Sequence, residues 1–256
     1  METISRGESI TVPPPNQAAG GKNVIVPLKG WQFDLEKMKA SITDRTRLVF
    51  IDNPNNPVGT NVKEKDFARF IEGVPEHVVV VLDEAYREFV TDPENADFFR
   101  YFNGRTPVIS IRTFSKAYGL SGLRIGYGIA RPEVISILER VRQPFNVNSL
   151  AQVAAVAALD DAEFLEKTLS VNREGFAYLY NQFDEMGLEA VPSHTNFILV
   201  DVGLPASEVY EKLLREGVII RSMAPYGLKT HLRITSGLPE ENQRCVKALK
   251  KVLGKE

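Results

Sequence analysis

The side chains best suited to chemistry begin with a lysine that follows a strand-like run. Lys116 comes directly after "PVISIRTFS" (107–115), close to the hydroxyls of Thr113 and Ser115, and Arg124 stands eight residues further on. A desolvated lysine amine can act as a nucleophile or as a general base. A guanidinium group matches the oxygens of a phosphate group. These residue types therefore allow a charged ligand to be bound and protons to be exchanged with it.

Two further polar clusters follow other strand-like runs. One is "DNPNNPVGT" (52–60), which contains Asn56, and the other is "DEAY" (83–86), which contains Asp83 and Tyr86. In open α/β sheets, ligands bind outside the carboxyl ends of the strands. If the three strands belong to one parallel sheet, the three clusters converge at one edge of it.

Each cluster has a second interpretation when taken alone. "NPNNPVGT" is typical turn chemistry, Asp83 could cap a helix, and Lys116 could be a solvated surface lysine. The glycines after Lys116 indicate either a tight turn or a backbone that another group approaches closely. They occupy positions 119, 122, 126 and 128, and they do not form a G-x-G-x-x-G dinucleotide motif.

The elements that must position these residues alternate along the chain. Apolar runs at 23–28, 47–53, 77–86, 107–115 and 124–130 predict strands. Helical patterns at 33–42, where Asp34 is placed to cap, and at 64–74 separate them. The uninterrupted valines of 77–86 are typical of a parallel strand covered on both faces. This alternation predicts a three-layer α/β/α fold around a mostly parallel sheet.

After about residue 145 the pattern changes. "SLAQVAAVAAL" and the long "DAEFLEKTLSVNREGFAYLYNQFDEMG" are helical. Short strand-like runs follow at 188–193, 196–202, 217–223 and 231–237, with helical patterns at 206–217 and 239–253. We therefore predict a large domain over 1–148, and a connecting helix with a small C-terminal α+β domain over 149–256.

Composition excludes several other classes of protein. The 256 residues are 43% hydrophobic and 25% charged, which is typical of globular proteins, and a net charge of −2 argues against a nucleic-acid or membrane partner. The single cysteine, Cys245, excludes an intramolecular disulfide, and His77, His194 and His231 lack the spacing of metal ligands. The N-terminal residues lack the apolar region of a signal peptide, and no apolar run approaches the ~20 residues of a membrane span. We expect a cytoplasmic protein.

Taken together, the motifs resemble those of fold-type I pyridoxal-phosphate enzymes. Within that group, residues 20–256 are most similar to class II aminotransferases of the histidinol-phosphate aminotransferase family. The resemblance is carried by "RLVFIDNPNNPVGT", "VVLDEAY", "RTFSKAYGLSGLRIGYG" and "HLRITSG". It implies the large and small domains of that fold, and pyridoxal 5′-phosphate as cofactor.

The resemblance also implies roles at the cofactor. Lys116 matches the lysine that binds the cofactor covalently and moves the proton, and Asp83 matches the carboxylate that keeps the ring nitrogen protonated. The other matches are donors to the ring 3′-oxygen (Asn56 and Tyr86) and to the phosphate (Thr113, Ser115 and Arg124). The glycines at 119, 122, 126 and 128 are expected to let the backbone fold closely around the phosphate.

On the substrate side, Arg233 matches the arginine for the α-carboxylate, and Asn196 matches a further substrate position. Arg221 either holds the distal phosphate of histidinol phosphate or is a charge at a strand edge. The expected activity is amino-group transfer between histidinol phosphate and 2-oxoglutarate, in histidine biosynthesis, by a homodimer. Two alternatives stay open: a decarboxylase of a phosphorylated amino acid, and a non-catalytic remnant of the fold.

The chain also departs from the family pattern. Family members have a long segment before the point where this sequence starts, which holds a phosphate-binding loop and a tyrosine that reaches the partner subunit. Residues 12–28 look shortened, with no aromatic residue between Val12 and Trp31 to stack on the cofactor ring. We therefore expect a truncated or internally deleted family member.

Overall fold

The computed structural model describes residues 2–6 and 20–255, so residues 12–19 of the segment that looks shortened lie outside the described residues. The chain divides into two compact units. The first unit comprises Met1–Asn55 and Asn61–Leu165, and the second comprises Asn56–Thr60 and Glu166–Glu256. The division falls later than residues 148/149, and the domain boundary placed there stays a prediction.

The first unit is built on a six-stranded sheet of order β2-β1-β3-β4-β5-β6. Every neighbouring pair is parallel except β5 and β6, which are antiparallel. The predicted mostly parallel sheet is therefore confirmed. Its strands are β1 Glu2–Arg6, β2 Lys22–Val26, β3 Thr46–Asp52, β4 Val79–Asp83, β5 Val108–Thr113 and β6 Gly126–Ile129.

The sequence patterns did not predict β1, although it lies between β2 and β3. "ETISR" contains one large apolar residue, Ile4, which is too few to produce a periodic signal. In the fold, Ile4 is buried in the core, and β1 pairs with strands on both sides. The neighbouring strands therefore stabilise an extended conformation that the local sequence specifies weakly.

The strand formed by the valine run is buried on both of its faces. Val80 and Leu82 of β4 belong to the main core, and Val81, which points to the opposite face, is buried as well. Successive side chains of a strand point to opposite faces. This is the environment that the uninterrupted valines predicted.

The helices of the first unit lie at the predicted helical patterns 33–42, 64–74 and 149–159, and one further helix, over 132–141, was not predicted. Helix α1 spans Leu35–Ala40, and the Asp34 side chain caps it by accepting from the Lys37 backbone N–H at 3.0 Å. Helix α2 spans Glu64–Glu72 and buries two phenylalanines. Helices α3 (Pro132–Val141) and α4 (Ser149–Asp160) follow. Helix α5 (Ala162–Glu185) begins in the first unit, and most of its residues belong to the second.

The second unit contains a four-stranded antiparallel sheet of order β7-β8-β10-β9. Its strands are β7 Glu189–Ala190, β8 Phe197–Asp201, β9 Arg221–Ser222 and β10 His231–Thr235, and its other helices are α6 Ala206–Arg215 and α7 Pro239–Leu253. The core packs Leu179 and Phe183 of α5 with Ile198 of β8 and Leu249 of α7. Among the described residues, none of the helices is both long and apolar enough to cross a membrane.

Candidate functional site

The carboxyl ends of β3, β4 and β5 lie side by side at one edge of the first sheet. Asp52 and Asp83 are register partners. The ladder continues just beyond the strands, because the Asn53 N–H donates to the Asp83 carbonyl at 2.8 Å and the Glu84 N–H donates to the Ile111 carbonyl at 2.9 Å. The ends of these strands therefore lie at one edge, as the predicted parallel sheet implied.

Asp83 is a carboxylate at this edge whose charged form the surroundings disfavour. Its pKa is raised to about 6, mainly by burial; the backbone N–H of Ala85 opposes this effect, and the carboxylates of Asp52 and Glu84 add to it. The ammonium group of Lys116 lowers the pKa, but not enough to offset the other effects. A second positive charge beside Asp83 would stabilise its ionised form.

Asp83 does not cap an α-helix. Its Oδ1 accepts from the Ala85 backbone N–H at 3.0 Å, which closes a local turn. The next helical segment is the short 3₁₀ helix Arg87–Phe89, whose N-cap is Tyr86. The interpretation of Asp83 as a helix cap is therefore wrong.

Lys116 lies over the ring of Tyr86. Its Nζ is 5.0 Å from the ring centroid, and the tyrosine side chain is buried while the lysine is partly buried. A cation over an aromatic face is attracted by the ring quadrupole. The structure therefore holds this lysine against the turn that carries Asp83.

The hydroxyl and guanidinium groups around Lys116 also lie together. The Ser115 N–H donates to the Thr113 hydroxyl at 3.1 Å, and Arg124 Nη1 lies 3.5 Å from the Ser115 hydroxyl and 2.7 Å from the Ser121 carbonyl. Arg124 has a left-handed backbone, with φ of 53°. Six of the candidate residues from the sequence belong to this unit. We call them the first-unit cluster: Asp83, Tyr86, Thr113, Ser115, Lys116 and Arg124.

The structure explains only two of the four nearby glycines. A Cβ at Gly126 would lie 2.6 Å from the Arg112 carbonyl oxygen, where β6 pairs with β5, and Gly119 has a φ of 70°. A Cβ at Gly122 would have no neighbour within 4 Å, and one at Gly128 would make only ordinary contacts, at 3.8 Å or more. The protein's own packing therefore gives no reason for Gly122 and Gly128, and their close approach to a phosphate stays a prediction.

The other selected residues belong to the second unit, and we call Asn56, Asn196, Arg221 and Arg233 the second-unit cluster. Arg233 Nη1 donates to the Asn56 side-chain oxygen at 2.5 Å. Its guanidinium carbon lies 4.6 Å from the centroid of the Phe197 ring. Arg233 is therefore held on two sides. Asn196 directly precedes β8, and its carbonyl accepts from the Ser236 N–H at 3.0 Å.

Arg221 is exposed and stands directly opposite Arg233 in the β9–β10 register. Like charges directly opposite each other on a sheet are destabilising. Both arginines line an open cavity of about 630 Å³, together with Arg244 and Glu241 of α7. Two facing arginines beside a cavity favour the interpretation of Arg221 as a residue that binds an anionic group over its interpretation as a charge at a strand edge.

Sequence reasoning missed a buried ion pair at the first-unit cluster. Glu84 is fully buried, and its Oε2 accepts from Arg112 Nη2 at 2.8 Å and from Arg112 Nε at 3.0 Å. A glutamate directly after a buried strand is itself a signal, because glutamate is almost never buried without a partner.

The comparisons with known proteins agree with this geometry. A family model described as "Aminotransferase class I and II" matches residues 14–249. Histidinol-phosphate aminotransferase 2 of Pseudomonas fluorescens is 49% identical over 93% of this chain and 65% of its own length. Histidinol-phosphate aminotransferase of Moorella thermoacetica is 48% identical over 98% of this chain and 67% of its own length. The chain thus spans about two thirds of these relatives.

Solved structures give the same assignment. The histidinol-phosphate aminotransferase of Sinorhizobium meliloti, solved with pyridoxal-5′-phosphate, matches with a TM-score of 0.87 and 30% identity over 99% of this chain and 70% of that one. The enzyme of Clostridium acetobutylicum matches with a TM-score of 0.89 and 25% identity over 100% and 78%. The predicted fold class and the family resemblance are both confirmed: the chain belongs to the family of class I and II aminotransferases.

Proposed function

We propose that this protein is a pyridoxal-phosphate-dependent aminotransferase that acts on histidinol phosphate and 2-oxoglutarate. The family membership and the names of the relatives support this proposal. The observation that carries it is the placement of Lys116 over Tyr86, at the edge where Asp83 ends β4.

The first-unit cluster fits the chemistry of this cofactor. Burial disfavours the ionised form of Asp83, so a protonated ring nitrogen would supply the positive charge that this carboxylate lacks. The Ser115 hydroxyl and the Arg124 guanidinium, 3.5 Å apart, match the needs of a phosphate group. Lys116 provides the amine.

Each residue has a distinct task in the proposed reaction. When bound, the cofactor supplies an electron sink for the substrate carbon that bears the amino group. Lys116 would hold the cofactor covalently until the substrate amine displaces it, and the freed amine would then take the proton from that carbon and deliver it to the cofactor. Asp83 would keep the ring nitrogen charged, and the resemblance assigns Tyr86 and Asn56 as donors to the ring oxygen.

The second-unit cluster binds the anionic groups of the substrates. Arg233, held by Asn56 and Phe197, is pre-organised for a carboxylate. Arg221 is exposed beside the cavity and holds the substrate phosphate. An anion between the two arginines removes the repulsion of their direct cross-strand pairing. Asn196 has a further role on the substrate side.

We also propose that the enzyme is a homodimer whose interface includes helices α3 and α4. The apolar stripe of α3 faces solvent instead of the core, and α4 is apolar around most of its circumference. At about 100 Å² per fully exposed side chain, these helices and their connection expose on the order of 500 Å², a large part of the ~800 Å² that each partner buries in a standard interface. Within these helices and their connection, the apolar side chains that are more than half exposed are Ile137, Val141, Phe145, Leu150, Val153, Val156 and Leu159.

The test of the activity is to add pyridoxal phosphate to the purified chain. We expect a visible absorption band, and we expect borohydride reduction to attach the cofactor to Lys116, as located by peptide mass spectrometry. Lys116→Ala abolishes the attachment, whereas Lys167→Ala, at an exposed position of α5, does not. A wild-type chain without the band would refute the proposal. Glutamate release from 2-oxoglutarate, compared with carbon dioxide release, separates transamination from decarboxylation.

A further inference from the structure

The first-unit cluster has two parts: Asp83 and Tyr86 at the end of β4, and Thr113, Ser115, Lys116 and Arg124 at and after the end of β5. The buried ion pair of Glu84 and Arg112 lies between these two parts. Glu84 is fully buried and the Arg112 side chain is only 16% exposed. One carboxylate oxygen of Glu84 accepts both guanidinium hydrogen bonds, and it also accepts from the Ser110 hydroxyl at 2.5 Å. The pair is therefore fixed in orientation as well as in distance.

The position of each partner along the chain determines which strand ends the pair joins. Glu84 is the next residue after Asp83, in the turn that leads to Tyr86. Arg112 is the residue before Thr113, at the end of β5 that leads to Lys116. The pair thus joins the carboxyl end of β4 to the carboxyl end of β5, beyond their last shared ladder positions.

Stability alone does not account for a buried ion pair at this place. The desolvation of two charges offsets most of their attraction, so an apolar pair of similar volume is often as stable. What an ion pair adds is geometry, because a guanidinium accepts a carboxylate only along its N–H directions. The strand ends that it joins carry the carboxylate and the amine of the proposed reaction.

We propose that the Glu84–Arg112 ion pair is a positioning element that sets the arrangement of Asp83 relative to Lys116. This inference rests on the proposed function for the meaning of that arrangement. The arrangement itself is a property of the chain without cofactor. In this role the pair acts through its neighbours in the chain, Asp83 and Thr113.

The deciding variant replaces both partners by apolar residues, Glu84→Leu with Arg112→Met. Arg112→Met alone leaves the buried Glu84 carboxylate with only the Arg87 guanidinium, whose Nε lies 3.9 Å from its other oxygen, so we expect it to lower the melting temperature strongly. The double variant restores the melting temperature, because neither charge of the pair is then buried. Glu84→Gln keeps the shape and removes the charge. Its matched control is Glu2→Gln, since Glu2 is also a buried glutamate that pairs with an arginine, at the opposite end of the parallel strands.

Two readouts follow positioning rather than stability. The first is the shift that Lys116→Ala causes in the titration of the Asp83 carboxyl, followed by ¹³C NMR in the chain without cofactor, where Asp52, Glu84 and Lys116 are the charges that act on it. Because this shift is a difference within one background, the direct effect of the Glu84 charge on Asp83 cancels from it. The second is the affinity for pyridoxal phosphate from absorbance. In Glu84→Gln and in the double variant, we expect the shift to be smaller than in the wild type and the affinity to fall about tenfold, the size of a coupling between groups in contact. In Glu2→Gln, neither should change.

The outcomes separate this inference from the proposed function. A double variant that regains the melting temperature and also keeps the wild-type shift on Lys116→Ala and the wild-type affinity would show that the pair is merely structural. If the wild type binds no pyridoxal phosphate, the proposed function fails, and the shift of the Asp83 titration on Lys116→Ala by itself then decides the positioning role. A smaller shift in both Glu84 variants, with a wild-type shift in Glu2→Gln, supports it.

Discussion

Replacing Asp83 by asparagine is expected to stabilise the protein without cofactor. The pKa of Asp83 is about 6 in the fold against an ordinary value of 3.8, mainly because of burial. A difference of about two pH units corresponds to about 3 kcal/mol of unfolding free energy. Because the folded pKa is raised, this stability is present below pH 3.8 and is lost as the pH rises through 6. Asparagine keeps the acceptor for the Ala85 N–H and carries no charge.

Urea unfolding between pH 4 and pH 8 measures this effect. Trp31 is the only tryptophan and belongs to the first unit, so its fluorescence follows the unit that contains Asp83. We expect Asp83→Asn to differ little from the wild type near pH 4 and to be more stable by about 3 kcal/mol at pH 8. Saturating pyridoxal phosphate should reverse the order, because the bound cation stabilises only the ionised carboxylate.

Asp92, in the same unit, provides a control, because its substitution by asparagine should change the unfolding free energy in the opposite direction. The pKa of Asp92 lies well below its usual range, because its side chain accepts from the Lys63 ammonium at 2.5 Å and from the Asn61 amide at 2.7 Å. Asp92→Asn should therefore destabilise the chain at neutral pH. If Asp83→Asn also destabilised it at pH 8, or if its effect were the same at pH 4 and pH 8, the reasoning from burial would be refuted.

Three further predictions test the backbone, the substrate arginines and the interface. Gly126→Ala should lower the unfolding free energy by about 1–3 kcal/mol, because its Cβ meets a backbone oxygen, whereas Gly128→Ala should be nearly neutral; equal effects would contradict this account. Arg233→Ala should lower kcat/KM about 10- to 100-fold for all carboxylate substrates. Arg221→Ala should lower it only for phosphorylated substrates, and equal losses for all substrates would exclude a phosphate role. Val153→Lys should halve the mass of the particle in sedimentation, and an unchanged mass would move the interface elsewhere.

Much of the candidate site was predictable because its residues lie at strand ends, and strands leave local patterns. The valine run located β4 and hence Asp83, and the run before "RTFSK" located β5 and hence Lys116. Once a parallel sheet was inferred, convergence at one edge followed from topology. The grouping of Asn56 with Arg233 was not predictable, since 177 residues separate them along the chain.

The sequence by itself determined the elements and the chemical types at their ends, because strand periodicity and capping, such as the Asp34 cap of α1, depend on near neighbours in the chain. Tertiary structure alone decided three things: the strand β1, the burial that raises the pKa of Asp83, and the partner of Glu84. Each depends on groups that distant segments bring together. Desolvation and ion pairing depend on distance in space, which local sequence patterns do not encode.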